Sequence, residues 1–233
     1  MSNCNPTTRN KCSSKGSKTK VLLKTLSAII QEYISNQKTQ DPYKVIWSSI
    51  GDCVFGRHNN CYTDLISVTP SSRDHHQCYL NTNALLSFVH LLEKNEPSFT
   101  NNNFDILWQQ IRKLVVTGIG PVTCYYTALR YSLYKGLPEP QYVYLHSAKG
   151  PLKGAKAYFK FKNLKKVNTP DGEINVGLLK AGCRVEISNF PEFVASNLES
   201  KNIENLLCIH ADDLCSLNIV NTTKKSKERN HKS

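Results

Sequence analysis

Hydrophobic positions along the chain fall into helical periods separated by polar, glycine- and proline-rich breaks. Leu22, Leu23, Leu26, Ile29, Ile30 and Tyr33 recur with a helical period, which predicts a helix over Lys20 to Ile34, with a shorter one after Pro42. Between about Gly51 and Arg73 the composition turns to Gly, Asn, Ser and Pro, the pattern of a long irregular connection or a short hairpin. The helical period returns from Leu80 to Leu92, and Glu96, Pro97 and the Asn101 to Asn103 run close that part. Phe104, Leu107, Trp108, Ile111, Leu114 and Val115 then share one face of a helix over 104–115, and Val122, Tyr125, Tyr126, Leu129 and Leu133 one face of a second over 121–135. Tyr142-Val-Tyr-Leu145 reads as a strand-like run, Pro151 as a helix start, and Ile203, Leu206, Leu207 and Leu214 as the apolar side of a closing helix whose Asp212 and Asp213 form a solvated end. The expected fold class is mainly α: a helical domain over 20–217, with one or two short strands after the helix pair at 104–135.

The link inside that pair is the most specific feature of the chain. Leu114-Val-Val-Thr-Gly-Ile-Gly-Pro-Val-Thr-Cys-Tyr-Tyr-Thr-Ala-Leu129 places Gly118-Ile-Gly-Pro121 at the bend. The glycines permit a turn that a side chain would block, Ile119 can plug the angle between the helices, and Pro121 suits the first helical position. The unpaired backbone N–H groups at the start of the second helix would face outward and, with the helix dipole behind them, bind a phosphate. If Pro151 starts a helix, Lys153, Lys156 and Lys160 line one of its faces with Lys149 just ahead, a stripe able to follow a phosphate backbone.

This pattern resembles the helix-hairpin-helix motif over roughly Phe104 to Tyr134, with Cys124 where that family commonly carries Ala. The resemblance implies sequence-independent binding of a duplex DNA backbone, with amides near Gly118, Gly120 and Thr123 bonding phosphate, so that Gly118, Ile119, Gly120, Val122 and Thr123 are the candidate contact residues. It also implies a monovalent cation held by hairpin carbonyls, by position those of Leu114, Val116 and Ile119, and no other cofactor. A wider likeness spans roughly 104 to 210. Gly-Ile-Gly, Tyr125, Thr127-Ala-Leu-Arg130, Val143-Tyr-Leu-His146, Gly154-Ala-Lys156 and Ile203-Glu-Asn-Leu-Leu-Cys-Ile209 are similar to a group of mostly bacterial proteins that join one such hairpin to a Val-Tyr-Leu-His segment and a closing Ile-Glu-x-x-Leu-Cys-Ile helix. Arg73 and His76-Gln77 can be set against an upstream Arg-x-His-Gln pattern of that group. The group has no assigned activity to pass on, and where it carries an acid after the Tyr of the second helix this chain has Tyr126.

Charge changes the picture through its distribution. The 233 residues carry a net charge of +12. Residues 1–20 hold Arg9, Lys11, Lys15, Lys18 and Lys20 with no acid, and residues 221–233 hold Lys224, Lys225, Lys227, Arg229 and Lys232 against Glu228. Both ends, 1–19 and 218–233, are expected to be disordered basic arms. Within the remainder, residues 106–166 contain eleven basic side chains and one acid, Glu139, so the basic segment coincides with the glycine turn and the lysine stripe. No apolar run is long enough for a membrane helix, and the first twenty residues lack the apolar stretch of a secretory signal, so the expected location is intracellular, cytoplasmic or nuclear. The nine cysteines are accordingly expected to be thiols, mostly buried.

The residues argue less clearly for catalysis. Base-excision DNA glycosylases share hairpins of this kind and add a catalytic Asp beyond the hairpin and, in some, a Lys just after it. Here no Asp occurs from 106 to 170, and Pro121 and Val122 stand nearest the Lys position. His146, at the end of the strand-like run, is the one weak candidate for a general base, and it reads more readily as a hydrogen-bonded strand-end histidine. A Cys124–His146 nucleophile pair meets the objection that Cys124 lies in the helix-packing face. Cys53, His58, Cys61, His75, His76 and Cys78 offer soft ligands, but no Cys-x-x-Cys pair exists, so no metal site and no stoichiometric zinc are expected. The expected function is non-enzymatic DNA-backbone binding, accessory to repair or recombination. The alternatives are a nucleic-acid-processing enzyme and a protein-interaction module.

Overall fold

A computed structural model describes residues 24–39, 47–56, 81–99, 103–147 and 149–217. The expected arms, the helix start after Pro42, and His58, Cys61, Arg73, His75, His76, Gln77 and Cys78 lie outside the described residues. The protein is mainly helical with short strands in its C-terminal half. In chain order come α1 (Leu26–Thr39), α2 (Ile50–Phe55), α3 (Thr82–Asn95), α4 (Phe104–Lys113), α5 (Pro121–Lys135), β1 (Tyr142–Leu145), α6 (Pro151–Phe161), β2 (Lys166–Thr169), β3 (Gly172–Asn175), β4 (Cys183–Glu186), α7 (Pro191–Val194) and α8 (Ser200–Ile209). A last helical stretch covers 211–217. Among the described residues no helix is long and apolar enough to cross a membrane.

Local chemistry sets the helix ends. Asn81 and Asn103 cap α3 and α4 by accepting the amides of Asn83 and Asp105 at 2.8 and 2.7 Å. Gly136 closes α5 in the left-handed conformation, and the Leu137 amide reaches back to Ser132 O at 2.8 Å. Two expectations needed correction here. Part of the stretch expected to be irregular is α2, a wholly buried six-residue helix capped by Ser49 and ended by left-handed Gly56, too short for its period to register. α4 ends at Lys113 rather than at 115, because Leu114 turns to extended ψ and its amide bonds Ile111 O. Val115 thereby leaves the apolar face and stands 88% exposed.

Among the described residues four strands form where one or two were expected. β1 pairs antiparallel with β4, Val143 opposite Val185, and β2 pairs antiparallel with β3 across a Pro170-Asp171 turn. Asn189 ties β2 to the end of β4, accepting the Asn168 amide and donating to the Asn168 and Glu186 carbonyls.

Two hydrophobic clusters make the core. The first gathers α2, α3, α4 and α5 around Phe88, Leu107, Trp108, Tyr125 and Leu129; the second gathers α1, α6, α8 and the strands around Tyr158, Phe159, Phe190, Phe193 and Leu207. β1 is the seam. Because strand side chains alternate, Tyr142 and Tyr144 point into the first cluster while Val143 and Leu145 point into the second. Arg184 on β4 reaches across to Asp105 of α4 at 2.6 Å. Helix α5 passes through the middle of the first cluster, and Thr123 to Ser132 are all buried rather than only one stripe.

Candidate nucleic-acid interface

The link between α4 and α5 is held by its own backbone. The Ile119 amide donates to Val116 O at 3.0 Å, and the Cys124 amide donates to Gly120 O at 3.1 Å as the first bond of α5. Ile119 packs against the first cluster, as a plug between the helices should. Val116 O, one of the three carbonyls named for a cation, is thus already engaged in the turn. Gly118 has φ +92, a conformation that side chains rarely adopt, whereas Gly120 is extended at φ −100 and ψ 174. Among the described residues, a Cβ on Gly120 would meet nothing within 4 Å.

Gly120 is also the N-cap of α5, and no side chain caps that end. Pro121 has no N–H, so the amides of Val122 and Thr123 remain without intrahelical acceptors. No acid occupies the first turn, so the partial positive charge of the helix start is not neutralised there. The Thr123 side chain is buried, Val122 half-buried and Gly118 exposed, which makes the contact offered by these residues a backbone one.

The lysine stripe exists with two modifications. α6 does start at Pro151, and Lys153, Lys156 and Lys160 share a face of it. Lys153 is ion-paired with Asp212 beyond α8, and Lys156 is half-buried, while Lys149 and Lys160 are exposed. Elsewhere in the basic segment Lys135 pairs with Glu96, Lys162 with Glu192 and Lys166 with Glu173. Arg130 is buried, between the rings of Trp47 and Tyr126, and donates to Cys53 O at 3.2 Å. Among the described residues, Arg112, Lys113, Lys149, Lys156, Lys160 and Lys165 carry no carboxylate partner. The turn belongs to the first cluster and α6 to the second, with β1 joining them.

His146 follows β1 on the side of the first cluster, its ring stacked on Tyr125 at 5.0 Å and edge-on to Tyr126 at 5.5 Å. Its Nε2 lies 2.7 Å from Glu204 Oε1 on α8, and the two side chains are 1% and 0% exposed. His146 Nδ1 and Glu204 Oε2 have no hydrogen-bond partner. Tyr126 lies between His146 and Arg130. Sequence reading missed Glu204, although the signal was present: an acid set among Ile203, Leu206 and Leu207 on an apolar helix face needs a buried partner.

Burial pushes Cys124 up to about 11 and, with the Glu204 charge adding to it, Cys208 up to about 12; Cys53 is raised further by burial in α2. Of the five cysteines among the described residues, Cys53 and Cys124 are buried and Cys183, Cys208 and Cys215 partly so, while Cys4, Cys12, Cys61 and Cys78 lie outside the described residues. Comparison with protein-family models, with curated proteins and with solved structures finds no match.

Proposed function

We propose that this chain binds duplex DNA through its phosphate backbone, without sequence preference, using the α4–α5 link as a helix-hairpin-helix and the exposed lysines of α6 as further phosphate contacts. Gly120 is the observation that carries the reading. Gly118 is explained by its backbone conformation, but Gly120 needs neither an unusual φ nor the space of an absent side chain within the fold. Glycine is an ordinary N-cap residue, and at this uncapped, acid-free helix start it also leaves the backbone open to something approaching from outside. A phosphate oxygen bonding the Val122 and Thr123 amides fits that approach.

Gly120→Val in the full chain tests this directly. The side chain enters open space, so the fold is expected to stay intact by circular dichroism, while affinity for duplex DNA at fixed salt falls by about tenfold or more, about 1.4 kcal/mol. A folded variant that binds like the parent would leave the link as a helix-packing turn only.

The nucleic-acid enzyme reading has one supporting observation, a histidine oriented by a carboxylate, which is the arrangement of a general base and its positioning group. Incubation of labelled duplex with parent and His146→Gln separates the two readings. Strand nicking or base release that His146→Gln abolishes would favour the enzyme.

A further inference from the structure

Three side chains that play no part in the DNA reading meet where α1 crosses the end of α8. Glu32 sits on α1, His210 at the turn that ends α8, and Asp213 in the stretch 211–217, and one ligand atom from each lies within 4.8 Å of the other two. His210 is buried, with its ring edge against Tyr33 at 6.4 Å. Its Nδ1 is 2.9 Å from Asp213 Oδ2, and its buried Nε2 has no hydrogen-bond partner among the described residues, so among them the polar engagement of the ring is with the carboxylate cluster. Glu32 and Asp213 are partly open to solvent, 42% and 36%.

The cluster already attracts a cation. The Lys24 ammonium lies 2.6 Å from Glu32 and 3.2 Å from Asp213, held by both carboxylates at once. We propose that Glu32, His210 and Asp213 form a divalent metal site for an ion of the Mn²⁺-to-Zn²⁺ class, with Lys24 as its displaceable internal competitor. One imidazole nitrogen and two carboxylate oxygens, without thiolate, suit that class. An imidazole ligand disfavours Mg²⁺ and Ca²⁺, which take oxygen. Three protein ligands leave further positions to water, reachable from the open side of Glu32. Lys24 is half-exposed on a flexible stem, so leaving the site costs no core packing, and an exposed ion pair of that kind is weak. The bound ion would staple α1 to the helix that follows α8. Neither ligand set was visible in sequence, because Glu32 and the His210-x-x-Asp213 pair come from opposite ends of the domain.

Mn²⁺ added alone to the full chain, followed by loss of the free-ion EPR signal, tests the site; thiolates are poor Mn²⁺ ligands, so the cysteines do not confuse the count. The expected result is saturable binding of one ion per chain. His210→Ala and the isosteric Glu32→Gln should each weaken binding by about tenfold or more, and Lys24→Met should tighten it several-fold, since it removes only the competitor. Glu32 is partly exposed, so Glu32→Gln keeps the test valid even if His210→Ala unfolds, with circular dichroism as the check. Absence of saturable binding up to millimolar Mn²⁺, a folded Glu32→Gln that binds like the parent, or a Lys24→Met that fails to bind more tightly would each overturn the proposal.

Discussion

Gly118 and Gly120 are two residues apart, and the structure separates their reasons. Gly118→Ala forces a side chain into a left-handed conformation and is expected to destabilise the fold by about 1 kcal/mol, whereas Gly120→Ala should stay within about 0.5 kcal/mol, both read from urea midpoints. The dipeptide pattern was legible in sequence; the difference between the glycines was not, because it lies in φ and in the space around each Cα. Gly154 is a third kind. A Cβ there would fall 2.1 Å from Leu207 O, so glycine lets α6 press onto the backbone of α8. Gly154→Ala must push the two helices apart and should cost about 1–3 kcal/mol, again as a shift in urea midpoint. His146 was read as a hydrogen-bonded strand-end histidine ahead of a general base, and its partner proved to be Glu204, a residue whose proximity only the packing of α8 on β1 reveals.

Between elements, the His146–Glu204 contact joins the first cluster to α8 across the seam at β1. Removing one partner leaves the other buried and unpaired, which is the costly case; removing both leaves packing alone. His146→Phe and Glu204→Leu are therefore each expected to destabilise more than half as much as the pair together, so that the double variant is less destabilised than the sum of the singles. Additive effects in a double-mutant cycle would show that the contact carries no coupling. Acid sensitivity follows from other ties. Hydrogen bonds from Lys135 and Tyr131 hold Glu96 below the usual carboxylate range; burial raises Glu192, but Lys162 and Tyr158 outweigh it and leave it lowered. A carboxyl lowered on folding adds stability that is present above its unfolded value, about 4, and is lost as pH falls through the folded one. Asp105 runs the other way, since its burial outweighs Arg184. Urea midpoints should thus fall below about pH 4, and Glu96→Gln should flatten part of that fall. Element types were legible where periods were long, as in α3, α4 and α5. The β2–β3 hairpin was missed although Thr169-Pro-Asp-Gly172 is turn chemistry, because its strands carry only Val167 and Ile174 as apolar residues and show little alternation.

At the scale of the whole molecule the excess positive charge sits at the two ends of the chain and on one segment of its middle, and the fold neutralises part of that segment. Sequence spacing correctly put Lys153, Lys156 and Lys160 on one helix face, but it could not show that Asp212, from beyond α8, would claim Lys153. Charge counts along a chain cannot see such pairings, because acid and base come from distant positions. The pairing gives the DNA reading a prediction with two signs. Lys160→Ala, an exposed lysine without a carboxylate partner, should weaken binding and lower the log-log salt slope by up to about 0.9 if it meets one phosphate. Lys153→Ala should act less, because a phosphate gains that ammonium only after Asp212 releases it. Asp212→Asn frees the ammonium and should strengthen binding a few-fold at low salt, more than Asp171→Asn, an equally exposed acid away from α6 whose loss changes net charge alike. These measurements belong in a full chain in which Lys11, Lys15, Lys18, Lys224, Lys225 and Lys227 are replaced by Gln, so that attraction by the ends does not mask the body. If Asp212→Asn and Asp171→Asn then act equally, the α6 lysines contribute only through net charge, and the stripe is a solvated helix face.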